Sequence, residues 1–119
     1  MSNPRITVII ALMTKATLDK EIKSITDQIV KKYKAQKVIL FGSAARGEFD
    51  PEKSDLDFFV VKDDRRKKFR RMQTLYRLVK KNLPADFIVY TPKEVAERSK
   101  LGDPFILSIL REGKILYGR

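Results

Sequence analysis

The chain contains no cysteine and no histidine among its 119 residues. Their absence excludes disulfides, thiol nucleophiles, catalytic groups that need an imidazole base, and zinc sites with the usual sulfur and nitrogen ligands. Oxygen atoms are the metal ligands that remain, and carboxylates, hydroxyls and carbonyls suit magnesium or manganese. Because a chain without cysteine fits a reducing compartment, we expect a cytoplasmic protein.

Long apolar runs are also lacking. The longest early run, residues 6–13, is much shorter than the roughly 20 residues of a membrane-spanning helix, and Lys15, Asp19 and Lys20 follow it. We therefore expect no membrane contact. Residues 1–13 are interpreted as an N-terminal extension, which is either a short strand or helix packed on the domain or a segment ahead of it. The domain itself should cover residues 14–119.

Acidic residues are outnumbered by basic ones. The chain has 26 Lys and Arg residues against 15 Asp and Glu residues, a net charge of +11 and a sequence pI near 10.0. This balance favours polyanionic or acidic partners, although a solvated basic surface gives the same number. At 13.8 kDa the chain is expected to form one domain with its own core.

The hydrophobic periodicity predicts helices and strands mixed within one small domain, an α+β or mixed α/β fold. Apolar residues recur at three- and four-residue steps from Leu18 to Tyr33, which predicts a helix capped by Thr17. A second helix should run from about Asp64 to just before Pro84, with Phe69 and Met72 on its apolar side. Short apolar runs predict strands at 37–41, 56–61, 85–90 and 115–117.

Two further helix starts are marked by a capping residue followed by proline. Thr91 and Pro92 are followed by Glu94, which can complete a capping box, and Asp103 precedes Pro104. The second of these helices should end near Gly113. With the four strands, these helices predict a mixed sheet of about three to five strands packed with helices.

Small and acidic residues stand at the ends of two predicted strands. Gly42 and Ser43 follow the strand at 37–41, and Asp55 and Asp57 open the strand at 56–61. Alternate side chains of a strand share a face, so the two aspartates would lie about 6.6 Å apart at their backbones. At an effective dielectric of about 20 they would repel by roughly 2.5 kcal/mol, which a cation would remove. Divalent ions held by shared carboxylates carry nucleotidyl transfer, so the pattern predicts a metal–nucleotide site.

Asp86 opens the third predicted strand. Taken alone it would be an ordinary carboxylate at the end of a strand. If its strand lies beside the one that carries Asp57, however, Asp86 would be a third metal ligand or a base.

These segments resemble a known family. The motifs FGSAARGE (41–48) and SDLDF (54–58) are similar to the signature of the minimal nucleotidyltransferases in the DNA polymerase beta superfamily. The segment PADFIV (84–89) resembles the part of that family that bears its third carboxylate, and residues 106–117 resemble its closing helix and strand. The resemblance covers roughly residues 14–119. It implies a small nucleotidyltransferase fold.

The resemblance also implies a role for each site residue. Asp55 and Asp57 would hold two Mg²⁺ ions, or Mn²⁺, against the triphosphate of ATP, and Asp86 would bind the ion next to the acceptor and help remove the acceptor's proton. Gly42 would let the backbone approach the phosphates, and the Ser43 hydroxyl would donate to them.

Arg46 is a further candidate for phosphate contact, but it could equally be a solvent-facing residue on a short helix. The sequence departs from many relatives in two respects. Ala44 stands where relatives often carry a polar residue, so one substrate contact is in doubt, and the spacer before Asp55 is one residue longer. A loop can absorb the extra residue.

The segment 65–71 contains six cations in seven positions. We interpret it as a solvated helix face, an acidic-protein contact or an RNA contact, and the sequence leaves all three open. Few aromatic residues are available to stack on bases, which counts against a polymerase that must hold a nucleic-acid strand.

Family members of this kind often act as antitoxins that add AMP from ATP to a tyrosine of a HEPN-type ribonuclease toxin. The resemblance therefore implies an ATP- and Mg²⁺-dependent protein adenylyltransferase with a HEPN-type toxin as its partner. Two alternatives remain. One is an antitoxin of the same fold that neutralises its partner by binding alone, and the other is a basic RNA-binding module.

Overall fold

The computed structural model of the chain describes residues 14–119. The extension interpreted over residues 1–13 lies outside the described residues. Across the described part, no helix is long and apolar enough to cross a membrane. Helices and strands are mixed along this part of the chain, which confirms the predicted mixed α+β fold class.

A mixed sheet forms the centre of the domain. Its strands are β1 (Lys37–Phe41), β2 (Leu56–Val61), β3 (Ala85–Tyr90) and β4 (Lys114–Tyr117). They lie in the order β3-β2-β1-β4. β1 is antiparallel to β2 and β4, whereas β2 and β3 run parallel. The first three strands have the predicted bounds, and the fourth begins one residue earlier than predicted.

Helices cover both faces of this sheet. They are α1 (Lys15–Gln28), α2 (Gly42–Ala45), α3 (Lys68–Leu78), α4 (Pro92–Lys100) and α5 (Pro104–Glu112). α1 continues through a π-helical turn, Ile29–Tyr33, which ends at Lys34 in the left-handed conformation with φ 61°. The two predicted caps at Thr91 and Asp103 are confirmed, and the first forms a full capping box with Glu94.

Side-chain alternation along the strands divides the core into two layers. One layer packs α1 and α3 against one face of the sheet, and it includes Ile25, Leu75, Phe58 and Phe87. The other packs α5 against the opposite face. There Ile106 and Ile109 form one cluster with Ile39, Phe59 and Tyr90 of the sheet. Asp57 and Asp86 alternate with the residues of the first layer, so they belong to the face covered by α5.

The cap predicted for the first helix is wrong by three residues. Thr14 is the N-cap, and its hydroxyl accepts a hydrogen bond from the Thr17 backbone N–H at 3.2 Å. Thr17 occupies the third helical position and accepts from the Thr14 N–H at 2.6 Å. Both residues are threonines with suitable neighbours, so composition alone could not choose between them.

The second helix is shorter than predicted, Lys68–Leu78 instead of about 64 to 83. At its start, the Asp64 side chain pairs with Arg66 and accepts from the Tyr33 hydroxyl. After its end, α1 side chains bond the backbone of the following segment: Gln28 to Lys80, and Glu21 to Asn82. These long-range contacts provide hydrogen-bond partners for backbone groups, so the segment does not need to be helical.

The buried side of α3 also differs from the predicted one. Phe69 is exposed, whereas Arg71 is buried together with Leu75. The Arg71 guanidinium pairs with Glu94 at 2.6 Å and donates to the Val89 carbonyl at 3.2 Å. The expectation that the cations of 65–71 occupy only the solvent side is therefore wrong at Arg71.

Candidate active site

Gly42 is the first residue after β1 and begins the short helix α2. Its φ of +72° lies in the left-handed region, where glycine is favoured. A Cβ added at this position would overlap the Asp57 carboxylate at Oδ2. The backbone at the β1–α2 turn therefore lies directly against Asp57, which only glycine permits.

Ser43 follows in α2 and is partly buried. Its carbonyl accepts hydrogen bonds from the backbone N–H groups of Arg46 and Glu48, at 3.2 and 2.9 Å, which hold the turn closed. Because α2 has only four residues, it supplies individual N–H and hydroxyl donors and no substantial macrodipole.

Asp57 and Asp86 are cross-strand neighbours. β2 and β3 are parallel, and their register pairs Asp57 with Asp86. Neighbouring strands lie about 4.8 Å apart and paired residues project to the same side, so these two aspartates occupy the same face at the same level of the sheet. The strand of Asp86 therefore lies beside the strand of Asp57.

Asp55 lies one residue before β2 and is exposed. Its influence on Asp57 is electrostatic. Burial raises the pKa of the Asp57 carboxyl, the negative charges of Asp86 and Asp55 raise it further, and the positive charge of Arg46 opposes them. The charges of Asp55, Asp86 and Arg46 thus all act on the Asp57 carboxyl.

Arg46 is exposed at the end of α2, and its Nε donates to Glu48 Oε2 at 3.1 Å. Arg46 is therefore solvent-facing, as one of its two interpretations predicts, and its positive charge lowers the pKa of Asp57. Its contact with phosphate stays a prediction.

Within residues 14–119, no three acidic side chains come together in a ready-formed metal cage. Such a cage is not what magnesium requires. Mg²⁺ is commonly bound through one or two carboxylates, water and the phosphates of the substrate. Asp57 and Asp86 on neighbouring strands, with Asp55 two residues before Asp57, are an oxygen donor set of that kind. The mutual repulsion at Asp57 is also what a bound cation would relieve.

Tyr76 is a site residue that the sequence did not reveal. It lies on α3, and its hydroxyl donates to Asp86 Oδ1 at 2.8 Å. Burial and the nearby Asp86 carboxylate raise the pKa of Tyr76 to about 12, so its hydroxyl keeps its proton at neutral pH. In the sequence Tyr76 is one more residue of an apolar stripe, and no linear signal places it beside a carboxylate ten positions later.

A cleft of about 110 Å³ adjoins the glycine turn. It lies between α2 and α5 and is lined in part by Gly42, Arg46 and Ser108. Phe41 and Phe105 close one side with an edge-to-face contact at 5.8 Å between ring centroids. A larger cleft of about 330 Å³, between α1 and β4, contains none of the predicted site residues.

Comparisons with known proteins concern the family and the fold of the chain. A family model described as a nucleotidyltransferase domain matches residues 20–117. The fold is similar to the crystal structure of a proposed nucleotidyltransferase from Sulfolobus solfataricus, with a TM-score of 0.57 and 21% sequence identity. The similarity covers 91% of this chain and 92% of that one. No protein of curated function matches the chain.

Proposed function

Because the chain belongs to the nucleotidyltransferase domain family, whose model matches residues 20–117, we propose that it transfers AMP from ATP to a hydroxyl group of a partner protein. The observation that carries this proposal is the register of β2 and β3. It sets Asp57 and Asp86 side by side, while Gly42 brings the backbone against Asp57.

We assign two roles to the site residues, which are to hold the nucleotide and to receive a proton. Asp57 and Asp55 would hold Mg²⁺ on the triphosphate side, and Asp86 on the acceptor side. Bound divalent ions would neutralise the triphosphate and stabilise the charge that develops in the transfer. The Ser43 hydroxyl and the N–H groups of its turn would donate to the phosphates, and Arg46 would add positive charge.

The acceptor oxygen would attack the α-phosphorus of ATP. The bond between that phosphorus and the bridging oxygen of the β-phosphate would break, and pyrophosphate would leave. Asp86 would receive the acceptor's proton, since a chain without histidine has a carboxylate as its available base.

The proposed partner is a HEPN-type toxin, with a tyrosine as acceptor and the present chain as its antitoxin. This part rests on the resemblance of the motifs at 41–48, 54–58 and 84–89. The surplus of basic residues, a net charge of +11, is suited to an acidic partner surface.

The test is a transfer assay with the protein encoded beside this one in the genome. After incubation with ATP and Mg²⁺, we expect the neighbour to gain mass in units of AMP, and Asp57→Asn to abolish the gain. Asp63→Asn is the matched control, because Asp63 is an exposed carboxylate paired with Arg65 just beyond the other end of β2. No gain in mass with any divalent ion would refute the enzymatic function.

An antitoxin that acts by binding alone makes a different prediction. A variant with both Asp55→Asn and Asp57→Asn would then still rescue cells from the toxin. Under the proposed enzymatic function, the same variant should fail to rescue although it still binds its partner.

A further inference from the structure

Tyr76 places a hydroxyl of this chain where the proposed reaction needs an acceptor. Its oxygen lies 2.8 Å from Asp86 Oδ1, with the phenolic proton directed at that carboxylate. Asp86 is the residue that we propose as the base on the acceptor side. A general base must lie within hydrogen-bond reach of the proton that it removes, and this pair meets the condition without rearrangement.

The phenol ring is held in this position by two further contacts. It packs edge-to-face on Phe87, with 5.2 Å between ring centroids, and Lys81 Nζ lies 5.3 Å from the centre of the Tyr76 ring. Phe87 is the residue after Asp86 on β3 and is buried. The same strand thus fixes the ring and carries the carboxylate.

The side chain remains open to solvent, with 37% of the residue exposed. Asp86 is exposed as well. Both partners of this hydrogen bond therefore belong to residues that a nucleotide in solution can reach.

The other tyrosines of the chain lack this combination. The Tyr33 hydroxyl donates to Asp64, and Tyr90 is buried with Lys68 over its ring. Tyr117 is 45% exposed but lies on β4, at the opposite edge of the sheet from β3.

We infer that Tyr76 is an intrinsic acceptor and that the chain transfers AMP to its own Tyr76 hydroxyl. This inference rests on the proposed function. Tyr76 Oη would form a bond to the α-phosphorus of ATP, the bond from that phosphorus to the β-bridging oxygen would break, and pyrophosphate would leave. The phenolic proton would pass to Asp86 and then to solvent.

A group already in place reacts faster than one that must be captured from solution, because the entropy of bringing it there has been lost in folding. Self-transfer should therefore proceed without a partner, at a rate constant independent of protein concentration. Asp86 holds one phenolic hydroxyl, so the expected stoichiometry is one AMP per chain. A partner's hydroxyl would have to displace Tyr76 from Asp86 before it could react.

The test uses the purified protein, ATP and Mg²⁺. We expect intact mass to increase by one AMP, and tryptic mapping to place the AMP on the peptide of residues 72–77, which contains Tyr76. Tyr76→Phe and Asp57→Asn should each remove the label, whereas Tyr117→Phe should keep it. A rate constant that rises in proportion to protein concentration would contradict transfer within one chain.

A second readout does not depend on turnover. In protein with ring-labelled tyrosines, a non-reactive ATP analogue and Mg²⁺ should shift the Tyr76 resonance, assigned by its loss in Tyr76→Phe, and leave the Tyr117 resonance in place. If calorimetry shows that the analogue binds but the Tyr76 resonance does not move, Tyr76 is not beside the nucleotide and the inference is wrong.

Labelling of the neighbouring protein tests the proposed function, and labelling of Tyr76 tests this inference. If the neighbouring protein is labelled and Tyr76 is not, the inference is overturned while the proposed function stands. If neither is labelled under any divalent ion, both are overturned.

Discussion

Gly42 is the residue on which the geometry of the site depends most directly. Any side chain there would overlap Asp57 Oδ2, and φ is +72°. We predict that Gly42→Ala displaces the Asp57 carboxylate and lowers the rate of nucleotidyl transfer by about 100-fold, because a small misplacement in an active site has an effect of that size. Pyrophosphate release from ATP measures the rate.

Gly47 provides the matched control. It has the same φ of +72°, but an added Cβ would have no atom within 4 Å. Gly47→Ala should therefore lower the free energy of unfolding by about 1 kcal/mol through backbone strain, without changing the transfer rate. If the two variants lose activity equally, contact with Asp57 is not the reason for glycine at position 42.

Asp64 gives the fold a dependence on pH. The Arg66 guanidinium, at 2.6 Å, and the Tyr33 hydroxyl, at 2.5 Å, hold the pKa of the Asp64 carboxyl well below its usual range, against the opposing effect of burial. The ionised carboxylate thus stabilises the folded state above the unfolded pKa of about 3.9. This contribution is lost as the pH falls toward the folded pKa.

We predict that Asp64→Asn lowers stability at neutral pH and makes the loss of stability below about pH 4 less steep, since the variant has no proton to take up at this position. Urea unfolding at a series of pH values measures both effects. An unchanged slope on the acid side would show that Asp64 does not contribute to acid unfolding.

At the scale of elements, Gln28 connects α1 to the segment that leads into β3. Its side-chain amide donates to the Lys80 carbonyl and accepts from the Lys80 N–H, both at 2.7 Å. Gln28→Ala would leave both backbone groups to find water, so we predict a loss of about 1 to 2 kcal/mol in the free energy of unfolding. Gln73→Ala, at an exposed position of α3, should change it by less than about 0.5 kcal/mol. Equal effects would contradict the role given to Gln28.

The basic segment 65–71 is partly internal to the fold. Besides the buried Arg71, the Arg66 guanidinium is paired with Asp64, and Lys68 Nζ lies 4.1 Å from the centre of the Tyr90 ring. These partners lie within the chain itself, so a high count of cations in a segment overstates the charge available to RNA or to an acidic protein.

Within this segment, Arg71 has a structural role. Removing it would leave Glu94 without its 2.6 Å partner in a partly buried position. We predict that Arg71→Ala destabilises the protein by about 3 kcal/mol, whereas its exposed neighbour Arg70→Ala has little effect. Thermal and urea unfolding compare the two. A small loss for Arg71→Ala would mean that the guanidinium is easily replaced by water.

Across the whole domain, the strands could be predicted because the sequence pattern that marks a strand is local. Runs such as 56–61 are apolar, short and bounded by polar residues, and three strands have the predicted bounds. Helix bounds failed where distant side chains decide them, as at Asp64 and Lys80. The capping motifs at Thr91 and Asp103 succeeded because each depends on residues three positions apart or fewer.

The sequence names candidate site residues, whereas how they lie relative to one another depends on the fold. Local alternation indicates that Asp55 and Asp57 share a face, but nothing local states that β2 and β3 are parallel or that Asp57 pairs with Asp86. Tyr76 was missed for the same reason, since its contact with Asp86 depends on how α3 packs along the edge of the sheet. The residues on which a tertiary contact depends cannot be found from spacing alone.

Titration calorimetry with ATP measures whether the face of the sheet that carries Asp57 and Asp86 holds a metal-bound nucleotide. For the wild type and for Asp63→Asn, we predict binding that requires Mg²⁺ and is lost when the ion is chelated. For Asp57→Asn, we predict affinity at least about tenfold weaker, a difference of about 1.4 kcal/mol. Affinity that is the same with and without Mg²⁺, or unchanged in Asp57→Asn, would show that Asp57 does not hold the nucleotide through a metal ion.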